Sequence, residues 1–144
     1  MKKHYLAVFL ILIGMSHSFA DQFLQLGTDA ISKEIFQRID EEKEQVHIFT
    51  SSCTDLKILH QLNACLKKSN TMGYIKAQRV GKLVKKSVEK RLFENLNIQE
   101  NEHGMQELCV LKDKQAILFV SRPWLVSNRK IKKATLLYIE NSPM

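Results

Sequence analysis

The sequence predicts a single α/β domain in which helices pack on a largely buried sheet. Segments with apolar residues at every third or fourth position alternate with short segments rich in branched and aromatic residues. Such alternation of helices and strands is typical of a layered α/β domain. The chain of 144 residues has no internal repeat and no linker rich in proline or glycine, so one domain is expected. The pattern does not determine the order of the strands.

Three apolar stripes predict three helices. The stripes are formed by Ile31, Ile35 and Ile39, by Leu59, Leu62 and Leu66, and by Val84, Val88 and Leu92. The corresponding helices are predicted at residues 31–42, 55–68 and 82–96. Thr28 or Asp29 is expected to cap the first helix, and Ser52 or Thr54 the second. Strands are predicted at residues 46–51, 74–80, 109–111, 116–120 and 135–139.

The N-terminus has the pattern of a bacterial export signal. Lys2 and Lys3 precede an apolar run at residues 5–13, and Ser18-Phe19-Ala20 fits the small-x-small rule for signal cleavage. The run is too short to cross a bilayer comfortably. We therefore expect a cleavable signal peptide at residues 1–20 and a mature domain at residues 21–144. The mature protein is expected in the periplasm or outside the cell, with membrane contact only through an uncleaved signal segment.

The segment at residues 105–124, MQELCVLKDKQAILFVSRPW, carries the clearest functional signal, because it predicts a strand, a polar turn and a second apolar strand. This layout resembles the signature of the phospholipase D superfamily. In that family one strand carries His-x-Lys, an Asp follows five residues after the Lys, and the next strand ends in Gly-Ser-x-Asn-aromatic. The family's small secreted bacterial endonucleases, of the single-motif type, also share the order of elements over nearly all of the predicted mature chain. The resemblance implies a phospholipase D-like layered sheet with helices on both faces.

The motif of this chain is degenerate. Aligning Asp113 with the family Asp places Gln106 at the His and Leu108 at the Lys; Ser121 is kept, whereas Pro123 replaces the Asn. In the family, the His attacks the phosphodiester and the Lys holds the phosphate. An amide offers no nucleophilic lone pair, and a leucine cannot stabilise negative charge. The resemblance therefore implies a protein without the family's activity, and it also implies a homodimer, because single-motif members pair two copies to form one site.

Other reactive residues do not replace the missing nucleophile. The histidines of the predicted mature chain are His47, His60 and His103. His103 is out of register with the motif, and the other two have no acidic or cysteine partner nearby in sequence, so all three are interpreted as structural or surface residues. The cysteines are Cys53, Cys65 and Cys109. This odd number allows at most one internal disulfide, and burial as small apolar residues is favoured. Neither metal-binding spacing nor a cofactor motif is present, so no metal or cofactor is predicted.

Basic residues are concentrated in two segments. Residues 67–91 contain nine Lys or Arg and one acidic residue, Glu89. A second cluster consists of Arg122, Arg129, Lys130, Lys132 and Lys133. The candidate anion-binding residues are Arg79, Lys82, Lys86, Lys90 and Arg122. Their segregation from the acidic residues predicts a face for nucleic acid or another polyanion, and the alternative is a solvated helix face on a basic exported protein.

Three functional hypotheses follow. The first is a non-catalytic phospholipase D-like protein that binds phosphate-rich ligands or a protein partner. The second is an active phosphodiesterase, of the nuclease or phospholipase D type, that works by another route. The third is an unrelated periplasmic interaction protein associated with secretion machinery. The first predicts that the strands at residues 106–112 and 116–121 are antiparallel neighbours, with Gln106, Leu108 and Ser121 facing one pocket.

Overall fold

A computed structural model describes residues 19–102, 107–126 and 133–141, and among them the side chains of residues 30–102, 107–126 and 134–140. The predicted signal peptide lies almost entirely outside this part of the chain. The described elements are β1 (Phe19–Gly27), α1 (Thr28–Asp40), β2 (Gln45–Cys53), α2 (Leu56–Lys68), β3 (Met72–Val80), α3 (Lys82–Glu89), β4 (Leu96–Glu100), β5 (Leu108–Leu111), β6 (Ala116–Val120) and β7 (Lys133–Asn141). Within the described residues, none of the helices has the length and apolar character needed to span a membrane.

The described strands form one mixed sheet of seven strands in the order β1-β7-β6-β5-β2-β3-β4. Strands β2, β3 and β4 are parallel neighbours, connected by α2 and α3, whereas the remaining pairs are antiparallel. A parallel pair requires a crossover connection, which the two helices provide. The α/β class predicted from the sequence is therefore confirmed.

The core lies on one face of the sheet. Ile48 is opposite both Ile75 and Cys109, and Cys109 is opposite Leu118, and all four side chains are 0% exposed. The apolar stripes of α1 and α2 belong to the same cluster and are also 0% exposed, as predicted from their spacing. Helix α2 lies so close to β3 that a Cβ atom on Gly73 would come within 2.6 Å of Leu66 Cδ1.

The opposite face of the sheet is less covered. Its residues alternate with the core residues along each strand, and His47, Tyr74 and Val110 are half-buried while Lys76 is exposed. A small separate cluster near β7 contains Leu137 and Ile139, with Phe119 packed against it. The family resemblance implies helices on both faces of the sheet. Among the described residues, however, the buried side chains of α1, α2 and α3 all belong to the cluster on the first face.

The hairpin prediction is confirmed. Strands β5 and β6 are antiparallel neighbours, with Leu108 opposite Phe119 and Leu111 opposite Ala116. Residues 112–115 form the turn between them. The buried Glu42 carboxylate accepts hydrogen bonds from the backbone N–H groups of Asp113 (2.9 Å) and Lys114 (3.3 Å), which holds the turn against the end of α1.

The third helix is shorter than predicted. It ends at Glu89 instead of Leu96, because Arg91 adopts a φ of 57° and the Leu92 N–H donates to the Ser87 carbonyl at 3.1 Å. This pairing is the 6→1 hydrogen bond of a Schellman motif. The predicted apolar stripe is wrong at two of its three positions: Val84 is buried, but Val88 is 38% and Leu92 49% exposed.

Two strands and one cap were not predicted. Strands β1 and β4 lie at the two ends of the sheet order, where pairing with β7 and β3 defines them. The cap of α2 is Asp55, whose carboxylate accepts a hydrogen bond from the Ile58 N–H at 3.2 Å, and not Ser52 or Thr54. The helix begins one residue later than predicted, which moves the capping position to Asp55.

Candidate functional site

The candidate site lies at one edge of the sheet, which we call the carboxyl edge. Strands β2, β3 and β6 end at this edge, and β5 begins there, because β5 runs antiparallel to both β2 and β6. The carboxyl ends of parallel strands and the loops that follow them commonly form binding sites in α/β domains. The degenerate motif and the start of α3 therefore meet in this region.

Backbone hydrogen bonds join three segments at the carboxyl edge. The Leu125 carbonyl accepts from the N–H groups of Thr54 (2.9 Å) and Asp55 (3.0 Å). The Cys53 carbonyl accepts from the Gly81 N–H at 3.0 Å. A Cβ atom on Gly81 would lie 3.3 Å from Thr54 Cγ2, so the chain passes closely here. These contacts place the segment after β6 beside the end of β2, and the end of β2 beside the start of α3.

The structure brings together only part of the degenerate motif. Leu108 is half-buried and lies opposite Phe119, so Ser121, two residues further along, faces the same side of the sheet. The Ser121 hydroxyl accepts a hydrogen bond from the Thr135 N–H at 2.8 Å. Asp113 is exposed in the turn at the other end of the hairpin. Gln106 lies outside the described residues.

A buried carboxylate, Glu107, was not identified from the sequence. It is 8% exposed and accepts hydrogen bonds from the Thr50 hydroxyl and from the Ser51 N–H (3.0 Å). Burial raises the pKa of Glu107, and these hydrogen bonds partly oppose that effect. Glu107 precedes Leu108 on the strand and therefore points to the helical side of the sheet. Its carboxylate thus cannot take the place of a nucleophile on the Leu108 side.

The candidate anion-binding residues divide into exposed and partly buried groups. Arg79, Lys82, Lys86 and Lys90 are exposed, and Arg122 is half-buried. Within the described residues, no acidic side chain forms an ion pair with any of these five. Lys82 and Lys86 lie on α3, and Lys90 forms its C-cap. Arg129, Lys130 and Lys132 lie outside the described residues.

Lys85, which lies on the same helix as Lys82 and Lys86, does form an ion pair, with Glu100. Lys85 Nζ lies 3.3 Å from a Glu100 carboxylate oxygen. Glu100 also accepts a hydrogen bond from the Val80 N–H at 3.0 Å. The hydrogen bond from the Val80 N–H lowers the pKa of Glu100 most, and the contact with Lys85 lowers it further. The ion pair connects the outer strand β4 to α3, so Lys85 has a structural partner that Lys82 and Lys86 do not have among the described residues.

The remaining reactive side chains have ordinary surroundings. The His47 ring stacks on Tyr74 with centroids 5.1 Å apart, and the exposed His60 contacts the Phe93 ring at 4.9 Å. Burial raises the pKa of the Cys53 thiol to about 12, and Cys109 is also fully buried. All three cysteines are free thiols, and Cys65 is only partly buried. No group of three potential metal ligands is found among the described residues.

Comparison with solved structures shows the fold. The chain superposes on NucT from Helicobacter pylori with a TM-score of 0.60 and 14% identity, covering 86% of this chain and 87% of that one. Nuc from Salmonella typhimurium, a phospholipase D family member, matches with a TM-score of 0.57 and 15% identity, covering 87% and 85%. Phosphatidylserine synthase of Haemophilus influenzae matches with a TM-score of 0.56 and 12% identity, covering 88% of this chain and 36% of that one. No family model and no curated protein sequence matches the chain.

These matches confirm the predicted phospholipase D-like fold. The matches to NucT and Nuc cover 86% and 87% of this chain. The likeness is therefore not confined to the hairpin. At 14% and 15% identity they show the arrangement of the backbone and not the chemistry of the site. The function must therefore be argued from the side chains of this chain.

Proposed function

We propose that this chain is an exported, non-catalytic protein with a phospholipase D fold that binds phosphate-rich ligands at the carboxyl edge. The observation that carries the proposal is a group of exposed cations on β3 and α3, of which Arg79 and Lys82 lie at the carboxyl edge. Arg79, Lys82, Lys86 and Lys90 have no acidic partner among the described residues. Cations that are not neutralised within a protein are available to phosphate oxygens.

The chemistry of the motif supports binding without catalysis. Leu108 places an apolar side chain where the family has a lysine, and Gln106 replaces the nucleophile. The Ser121 hydroxyl is engaged by the backbone of β7. Glu107 points to the other side of the sheet, and the His47 ring, which shares the Leu108 side through the pairing of His47 with Val110, stacks on Tyr74. The N-terminal export pattern supports a site of action in the periplasm or outside the cell.

A salt titration with matched charge variants tests the proposal. The probe is a short labelled DNA duplex, a soluble polymer of phosphodiesters, and binding should weaken steeply as salt rises because each neutralised phosphate releases counterions. Lys82→Glu with Lys86→Glu should reduce the affinity strongly. Lys33→Glu with Lys43→Glu changes the net charge equally at exposed positions on or after α1, and it should reduce the affinity much less. Equal losses in the two variants, or no binding at low salt to DNA, inorganic polyphosphate or lipid vesicles, would contradict the proposal.

We also propose that two copies pair, following the single-motif members of the resembled family. The side of the sheet that carries Leu108 also carries the half-buried Val110 and Ile117. Burial of these apolar residues would favour an isologous contact. Light scattering that shows a monomer at high micromolar concentration would contradict this proposal without affecting the ligand-binding one.

A further inference from the structure

Exposed apolar side chains are concentrated on the same short segment as the unpaired cations. Among the described residues, the large apolar side chains with exposed surfaces are Leu83 (63%), Val88 (38%) and Leu92 (49%). All three lie on α3 or on the turn that follows it. Lys82, Lys86, Lys90 and Arg91 are exposed in the same stretch of the chain. We call Lys82, Leu83, Lys86, Lys90, Arg91 and Leu92 the α3 patch.

The geometry of the helix explains how both kinds of side chain reach one surface. Val84 and Ser87 are buried and define the inner side of α3. At about 100° per residue, Lys82 and Lys86 point away from the core. Leu83 lies beside Lys86, because residues three apart are neighbours on a helix surface. Leu83 and Lys86 therefore adjoin on the outer side of α3, which also carries the exposed Glu89, whereas Val88 lies about 140° from Leu83 on the other flank of the helix.

The turn after the helix leaves Leu92 exposed. In a Schellman motif the residue in the position of Leu92 usually packs its apolar side chain against the residue in the position of Ser87. Here that partner is a serine, whose hydroxyl donates to the Leu83 carbonyl at 2.9 Å. A serine provides no apolar contact, and Leu92 remains 49% exposed. Arg91, with a φ of 57°, replaces the glycine that this position favours and adds a further cation.

Lipid surfaces suit this combination better than nucleic acids. At an anionic bilayer, lysine and arginine contact the phosphates while leucine side chains enter the boundary between headgroups and acyl chains. A nucleic-acid backbone would engage the cations but would leave the leucines in water. Binding of single-stranded bases would require aromatic side chains for stacking, and none is present between Lys82 and Leu92.

We propose that the α3 patch docks on the surface of a bilayer that contains anionic phospholipid. This inference rests on the proposed function and deepens it, because it names the phosphates of a lipid surface as the phosphate-rich ligand. The cations supply long-range attraction to the anionic surface, and Leu83 and Leu92 insert at its boundary. The fold holds α3 in place through Val84 and through the Lys85–Glu100 ion pair, so the patch faces outward without any rearrangement.

Vesicle sedimentation tests the inference. The exported protein, recovered from an expressing bacterium, is mixed with vesicles of phosphatidylcholine alone or of phosphatidylcholine with phosphatidylglycerol. Binding is expected only to the anionic vesicles. Leu83→Ser with Leu92→Ser should weaken vesicle binding about tenfold, since it removes two inserting side chains, and should leave DNA binding within about twofold. Leu83→Met with Leu92→Met keeps the apolar character and should retain vesicle binding.

A fluorescence measurement reports insertion directly. The Leu83→Trp variant should show a blue shift on anionic vesicles and quenching by brominated lipid, while the buried Trp124 of the parent protein provides the background signal. Vesicle binding that does not change in the serine variant would overturn the inference, because attachment would then be purely electrostatic or through the N-terminal segment. Salt-sensitive DNA binding without vesicle binding would overturn the inference and leave the proposed function intact. Failure to bind DNA, polyphosphate and vesicles would overturn both.

Discussion

The β5–β6 hairpin and helix α3 meet the solvent in opposite ways. The hairpin has the backbone arrangement of a phospholipase D-like motif, but two polar side chains at its carboxyl-edge end form hydrogen bonds within the protein: Glu107 with β2, and Ser121 with β7. Helix α3 lies outside that motif, yet it exposes Lys82 and Lys86, which have no ion-pair partners in the described part of the chain, and Leu83. The comparison indicates that burial maintains the fold in the hairpin, whereas α3 leaves cations and an apolar side chain exposed to solvent.

The largest difference between the two regions should be in stability. Leu118 on β6 is 0% exposed, and Leu83 on α3 is 63% exposed. Leu118→Ala should lower the free energy of unfolding by about 3 kcal/mol, because it leaves a cavity in the core. Leu83→Ala should change it by less than about 0.5 kcal/mol. Urea unfolding measures both values. A similar loss in the two variants would show that Leu83 is packed as tightly as a core residue.

The second difference should be in ligand binding. Lys82→Glu with Lys86→Glu should lower the slope of log affinity against log salt by about two, since two phosphate contacts are lost. A charge reversal in the hairpin, Lys112→Glu, should leave that slope nearly unchanged, because this exposed residue lies at the opposite end of β5 from the carboxyl edge. Fluorescence anisotropy with a labelled DNA duplex at several salt concentrations gives the slopes. A comparable effect of Lys112→Glu would place the ligand elsewhere.

The buried carboxylate of the hairpin should give the stability of the protein a pH dependence of its own. Burial raises the pKa of Glu107, so the folded protein holds this proton more tightly than the unfolded chain. The stability that Glu107 contributes is complete below the ordinary glutamate pKa and is lost as pH rises through the folded-state pKa. Glu107→Gln should therefore lose less stability than the parent protein over this interval.

Urea unfolding at a series of pH values from about 4 to about 8 measures this effect, because that range extends upward from the ordinary glutamate pKa. As pH rises, the free energy of unfolding of Glu107→Gln should increase relative to that of the parent protein. Parallel curves would contradict the account of Glu107 as a buried acid with a raised pKa.

The smallest expected effect is in catalysis. The parent protein should not cleave DNA, RNA or phosphatidylcholine above background. Gln106→His with Leu108→Lys restores the family's nucleophile and cation, and a weak gain of activity is expected because Pro123 still lacks the amide of the family asparagine. A metal-independent phosphodiesterase in the parent protein that is abolished by changing Gln106 would contradict the non-catalytic proposal.

The sequence by itself determined the parts of the molecule that depend on local pattern. The stripes Ile31, Ile35 and Ile39, and Leu59, Leu62 and Leu66, predicted two helices and their buried sides, because helical periodicity and burial reinforce each other. The polar turn between two apolar segments predicted the β5–β6 hairpin. The substitutions at the motif positions could also be identified, since the spacing of a motif is a property of the sequence alone.

Only the tertiary structure decided the features that depend on contacts between distant segments. Strands β1 and β4 form where β7 and β3 provide partners. Glu107 is buried because Thr50 and Ser51, more than fifty positions away, supply its hydrogen bonds. The ion pair with Glu100 distinguishes Lys85 from Lys82 and Lys86, although the sequence alone does not tell the three lysines apart. In each case the deciding free energy comes from a neighbour in space, which local periodicity does not encode.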